Sequence, residues 1–190
     1  MSPTNTLPVV WSRLDVAEGL CVGTLITERC GFRLEAGEVV AGARERYSCR
    51  FSVSTDLAWH TRTARVDVID AQGARVLELV NRSGQWTVNG EAAPELDGCV
   101  DVDVAAAPLT NTLPIRRLGL APGEHRDIHV AWVDVPTLKV IRMRQRYTRL
   151  PSAEGLDRYQ YRDSGYGTFD LTVDRNGIVV DYEHLVRRIA

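Results

Sequence analysis

No run of eighteen apolar residues occurs in the 190-residue chain, so no membrane-spanning helix is expected. The opening stretch, MSPTNTLPVVWSRLD, lacks a basic segment followed by an apolar one, and no export signal is expected. Cysteine is scarce. The four residues, Cys21, Cys30, Cys49 and Cys99, fit neither a CxxC spacing nor a dense disulfide framework. Free thiols in a reduced, cytoplasmic protein are therefore expected, with no structural zinc and no other metal. Charge of one sign is also missing. Lys and Arg number 23 against 25 Asp and Glu, a net charge of -2, so no basic face points to nucleic acid. There is no GxSxG elbow and no phosphate-cradling Gly-rich loop opening a helix, and no cofactor is expected. Internal repeats and low-complexity linkers are absent as well.

What is present is alternation. The length suits one domain with a sizeable core, and 44% apolar residues is ordinary for a soluble chain. Residues 1–8 read as a flexible leader, with one domain over 9–190. Leu20 to Thr27 reads as a strand, and Phe32 to Val40 as a partner that turns near Ala36-Gly37. In Arg44 to Ser54, Tyr47, Cys49, Phe51 and Val53 share one face, with Arg46, Ser48, Arg50 and Ser52 on the other. Trp59 to Ile69 continues as a strand. Gln72-Gly73 and Asn89-Gly90 are tight-turn signals. Leu138 to Thr148 divides into one face with Ile141, Met143, Gln145 and Tyr147 and another with Arg142, Arg144 and Arg146. Three cations cost little in water and much when buried unpaired, so the Met143 face is expected inside. Only Leu113 to Arg117 and Glu183 to Ile189 look helical. Many strands, tight turns and no helical crossovers predict an all-β fold: a large antiparallel barrel or strongly curled sheet with short helical segments. Its exposed edges leave room for a homodimer.

The run from Gly98 to Leu118, GCVDVDVAAAPLTNTLPIRRL, is the least ordinary part. Val100, Val102 and Val104 alternate with Asp101 and Asp103, which gives a strand with an apolar and an acidic face. Pro108 limits the strand, because it offers no N–H to a ladder. Thr110, Asn111 and Thr112 then suit a corner whose backbone groups they bond. Arg116 and Arg117 are ion-pair partners for the two aspartates.

Two aspartates two apart on a strand lie about 6.6 Å apart, at the lower end of an acid/base carboxylate pair. A solvated or ion-paired strand face is the plainer reading. His125 and His129 would be roughly 13 Å apart on a strand, too far to share a metal ion. Cys49 lies on an apolar face and reads as core. Trp59, Trp132, Tyr147 and Tyr161 offer flat faces, while Arg62, Asn111 and Gln145 offer directional donors. A sugar needs that combination. The same set reads equally well as core aromatics and solvated arginines.

The signature PLTNTLPIRRL resembles the centre of the bacterial putative glycolipid-binding family. The likeness extends through Trp11, the strand Tyr47–Val53, WHTRT at 59–63, GQW at 84–86, QRYT at 145–148 and VDRNGIVVDY at 173–182. It implies a curled antiparallel sheet or barrel, similar to bacterial lipoprotein carriers, that holds a glycolipid; it implies no catalytic residue. The function expected is non-catalytic binding of a lipid or glycolipid in an apolar cavity. The candidate contacts are Trp59, Arg62, Asp101, Asp103, Asn111, Arg116, Arg117, Trp132, Met143, Gln145, Tyr147 and Tyr161. The alternatives are an enzyme using Asp101 and Asp103 as acid and base, and an interaction domain with a filled interior.

Overall fold

The computed structural model describes residues 4–5, 7–43, 45–105 and 107–190, with side chains from residue 7 onward. Of the leader expected over 1–8, residues 1–3 and 6 lie outside the described residues. Nine strands form the first half: β1 (Thr4–Asn5), β2 (Val9–Arg13), β3 (Gly19–Glu28), β4 (Gly31–Ala41), β5 (Arg46–Thr55), β6 (Thr61–Asp70), β7 (Gly73–Arg82), β8 (Gln85–Val88) and β9 (Glu91–Ala92). The second half holds β10 (Asp101–Val104), β11 (His125–Val133), β12 (Val140–Ala153), β13 (Leu156–Asp163), β14 (Gly167–Val173), β15 (Val179–Tyr182) and β16 (Val186–Arg188). One helix, α1 (Thr112–Leu118), follows a 3-10 turn at Pro108–Asn111.

All the strands belong to one sheet. Its order runs from β10 to β16, then β2 to β9, with β1 beside β3. The fold is all-β, but the sheet does not close into a barrel: β10 and β9 stand at opposite edges. The curl is nevertheless strong. Edge residue Val100 accepts a 3.2 Å bond from the Thr61 amide, and the Val102 amide donates to Thr61 Oγ1 at 3.3 Å. Arg75 on β7 donates 2.9 Å to the Pro136 carbonyl, which ties the β11–β12 connection to the far half.

Alternation explains most of the ladder. In β5, Tyr47, Cys49, Phe51, Val53 and Thr55 are buried, while Arg46 and Arg50 are exposed. Those residues meet Leu34, Ala36 and Val40 of β4 and Val66 and Val68 of β6 in one continuous core. At Asn89-Gly90 both φ angles are positive, 50° and 86°, the geometry of a two-residue hairpin loop that follows strand twist. Gly31 is required for space: a Cβ there would lie 1.8 Å from the Thr55 carbonyl oxygen.

Three local expectations are corrected. β4 runs without a turn through Ala36-Gly37, because both edges of that strand are paired, with β3 and with β5. The expected terminal helix over 183–189 is a turn followed by β16, whose Val186 and Arg187 pair with Tyr182 and Asp181 of β15. The ladder is not wholly antiparallel, since β10 runs parallel to β11. A parallel neighbour needs a crossover, and the Pro108–Leu118 segment supplies it. That helix covers much of the acidic side of β10, so Asp101 and Val102 are both fully buried while Asp103 keeps partial exposure.

Candidate functional site

Under this crossover, β13 to β15 turn a row of aromatic residues inward. On β13, Tyr159, Tyr161 and Asp163 alternate with exposed Gln160 and Arg162, so the strand's own period carries all three to the inner face. Register sets Tyr161 between Tyr147 of β12 and Phe169 of β14. Its ring meets Tyr147 edge-on at 5.2 Å and Tyr182 of β15 at 5.9 Å, and Phe169 lies 5.6 Å from Tyr182. Trp132 of β11 and Tyr166 of the β13–β14 turn, centroids 5.7 Å apart, form a second wall. Between the walls is a cavity of about 390 Å³, which Asp103, Ala107 and Asn111 border from the crossover side.

The polar floor is held from behind. Asp103 accepts 2.6 Å from Gln145 Nε2 and 2.9 Å from Thr110 Oγ1. Tyr147 donates 2.8 Å to Asn111 Oδ1, and Asn111 Nδ2 donates 3.4 Å to the Pro108 carbonyl. Thr112 Oγ1 bonds the Gly177 carbonyl at 3.0 Å and so fastens the corner to the β14–β15 turn. Asp163 accepts the amides of Gly165, at 2.7 Å, and Tyr166 through Oδ1. Gln145 Oε1 is buried without a partner among the described residues.

Burial dominates the electrostatics. It pushes the Asp103 carboxyl up to about 6, against the opposing bonds from Gln145 and Thr110, with the charges of Asp163 and Asp101 adding to the rise. Burial also raises the phenols of Tyr147, Tyr161 and Tyr182 far above their ordinary range, so all three are neutral hydroxyls. Tyr161 and Tyr182 are only 4% and 8% exposed. Neither hydroxyl finds a protein hydrogen-bond partner among the described residues. Both residues line the cavity.

Four of the sequence-predicted residues border this space: Asp103, Asn111, Trp132 and Tyr161. Gln145 and Tyr147 stand one layer back and hold two of them in place. Asp101 gives its two oxygens to Arg117, at 3.1 Å from Nε and 2.6 Å from the terminal nitrogen. Arg116 instead lies over the Trp59 ring at 5.4 Å, and Trp59 stacks on Phe32 at 3.9 Å. Arg62 pairs with Asp56 in water. Met143, expected on the cavity lining, packs against Val130 and Trp132 in a small closed cluster. Sequence reasoning missed Asp163, Tyr166, Phe169 and Tyr182. The alternation Tyr159, Tyr161, Asp163 was the available signal for one of them.

A wider open groove of about 860 Å³ lies elsewhere, on the β3–β6 region. Its border includes exposed Leu20, Val22, Val39 and Ile69, together with Arg50 and Arg65. Gly37, which carries no side chain, leaves its middle open. Among the described residues, no helix is long and apolar enough to cross a membrane.

Known proteins place these features in context. A comparison with curated proteins gives no match. The crystal structure of a DUF1089 family protein from Pseudomonas aeruginosa is similar, with a TM-score of 0.76 and 34% identity over 89% of this chain and 92% of that one. The model of the family described as "Putative glycolipid-binding" matches residues 8–188, nearly the whole sequence. With that span matched, the chain belongs to the putative glycolipid-binding family.

Proposed function

We propose that this protein binds the sugar head group of a glycolipid, without catalysis, in the aromatic-walled cavity between β13–β15 and the crossover. The observation that carries the reading is the pair of tyrosine hydroxyls, on the buried residues Tyr161 and Tyr182, that line the cavity without protein partners among the described residues. A tyrosine hydroxyl both donates and accepts, so two that no protein group engages are open to a ligand rich in hydroxyls. Aromatic faces and a few convergent polar groups are the make-up of a small-molecule site. The volume, about 390 Å³, is at the lower end of such sites and suits a head group. The acyl chain then lies outside it, which replaces the deep apolar cavity with a polar one. Asp101 is fully buried, paired with Arg117 and does not border the cavity, so it does not serve as an acid or base beside Asp103 there, which favours binding over hydrolysis.

The test is a calorimetric titration with a short-chain alkyl glucoside below its micelle concentration. Saturable binding is expected, and Tyr161→Phe and Tyr182→Phe should each weaken it several-fold, the worth of about one hydrogen bond. No saturable heat, or equal affinity in both variants, would refute the assignment.

A further inference from the structure

The cavity has an unusual charge. Five carboxylates border it, Asp15, Asp103, Asp134, Asp163 and Glu183, and among the described residues no Lys or Arg does. Two of the five have a basic side chain beside them, an arginine for Asp15 and a histidine, a cation only when protonated, for Glu183. Asp15 is paired with Arg13 at 2.7 Å, and Glu183 lies 3.4 Å from His184 at the rim. The other three have no cation among the described residues. Elsewhere the protein pairs its aspartates consistently: Asp56, Asp67, Asp70, Asp101, Asp127, Asp157, Asp170, Asp174 and Asp181 each meet an arginine. Outside the cavity, Asp97 alone meets no arginine among the described residues. Three like charges gathered around a partly enclosed space repel one another, so an arrangement that keeps them gains from a cation supplied from outside.

Two further observations narrow that cation. No three His, Cys, Asp or Glu side chains among the described residues are placed to hold a metal ion, which points away from a bare cation. The walls include the aromatic rings of Trp132, Tyr161, Tyr166, Phe169 and Tyr182, and aromatic faces attract organic ammonium groups. The unpartnered hydroxyls of Tyr161 and Tyr182, on residues more than nine-tenths buried, face the same space and ask for a hydroxylated ligand.

We infer that the head group bound here carries a protonated amine, and that the ligand class is an unacetylated amino sugar held by Asp103 and Asp163 beneath the aromatic walls. This deepens the sugar-binding reading and rests on it. It excludes phosphorylated and sulfated head groups, which the carboxylates would repel.

The experiment compares methyl glucosaminide, methyl N-acetylglucosaminide, methyl glucoside and choline by calorimetry at pH 7 and low salt. The amino glycoside should bind about tenfold more tightly than the neutral glucoside, the worth of one charge-assisted hydrogen bond. Acetylation should erase the preference. Asp103→Asn and Asp163→Asn should each erase most of it. Both variants keep an acceptor. In Asp163→Asn the side-chain carbonyl would still cap the Gly165 and Tyr166 amides. In Asp103→Asn the Gln145 amide can turn its unpartnered oxygen toward the new side-chain amide. Equal affinity for the amino and neutral glycosides overturns the inference and leaves the sugar reading standing. Choline binding more tightly than the amino glycoside overturns the sugar portion and keeps the ammonium. No binding by any of the four overturns both readings.

Discussion

Arg117→Leu removes the cation that holds Asp101. Asp101 is fully buried, and Arg117 supplies both hydrogen bonds to its oxygens. Stripping one partner from a buried pair leaves a desolvated charge and typically costs roughly 3–5 kcal/mol. For a chain of this size that is a fall in melting temperature of roughly 6–20 °C. The pH dependence has a definite sign. Burial holds the Asp101 carboxyl above its ordinary range even with Arg117 in place, and losing the guanidinium raises it further. A carboxyl whose folded pKa is raised penalises folding above that pKa and stops doing so once protonated. The variant's deficit should therefore shrink as the pH falls toward the ordinary carboxylate range. Asp101→Asn combined with Arg117→Leu removes the charge as well and should recover more than half of the loss. Urea unfolding followed by tryptophan fluorescence, at several pH values, reads all of this. A single variant within about 1 kcal/mol of the parent at pH 7, or a double variant no better than the single, would refute the argument that the pair holds the crossover on β10.

Asp103 yields a related prediction. Its carboxyl is raised from the ordinary 3.8 to about 6, so the protein should lose up to about 3 kcal/mol of stability as the pH rises through that window. Asp103→Asn should flatten that part of the profile, as chemical unfolding between pH 3.5 and 7 would reveal. For the thiols, Cys30 is exposed, while Cys21, Cys49 and Cys99 are buried, with Cys21 pushed up to about 12 and Cys99 to about 11 by burial. A disulfide exchange reagent should titrate one thiol in the native protein and four after denaturation.

The strands were readable in the sequence where one face is wet. β5 alternates because Arg46 and Arg50 meet water while Tyr47, Cys49 and Phe51 do not. The reading failed where context overrides local signals. Gly37 looks like a turn, yet it sits in a strand paired on both sides. The 183–189 stretch carries helical spacing, yet pairing with Asp181 and Tyr182 makes part of it a strand. The acidic face of β10 read as solvated or ion-paired, and Arg117 does pair with Asp101, but nothing within those four residues announces the helix that covers it. The site was half legible for the same reason. Asp103, Asn111, Trp132 and Tyr161 stood out by residue type, whereas Asp163, Phe169 and Tyr182 join them only through the register of β12 to β15. Nothing local shows that Met143 faces a closed cluster and not the cavity.

The sheet order has a consequence for assembly. Residues 9–92 form one block of strands in sequence order, residues 101–188 form another, and the ladder joins them through β16 and β2. Neighbouring strands within each block close short loops and can form early. The seam closes a loop spanning most of the chain for the pairing of only three residues on each side. Two molecules at high concentration can satisfy the same seam reciprocally, each lending its second block to the other's first. The narrow β16–β2 ladder is thus the place where this fold trades solitary folding against domain exchange.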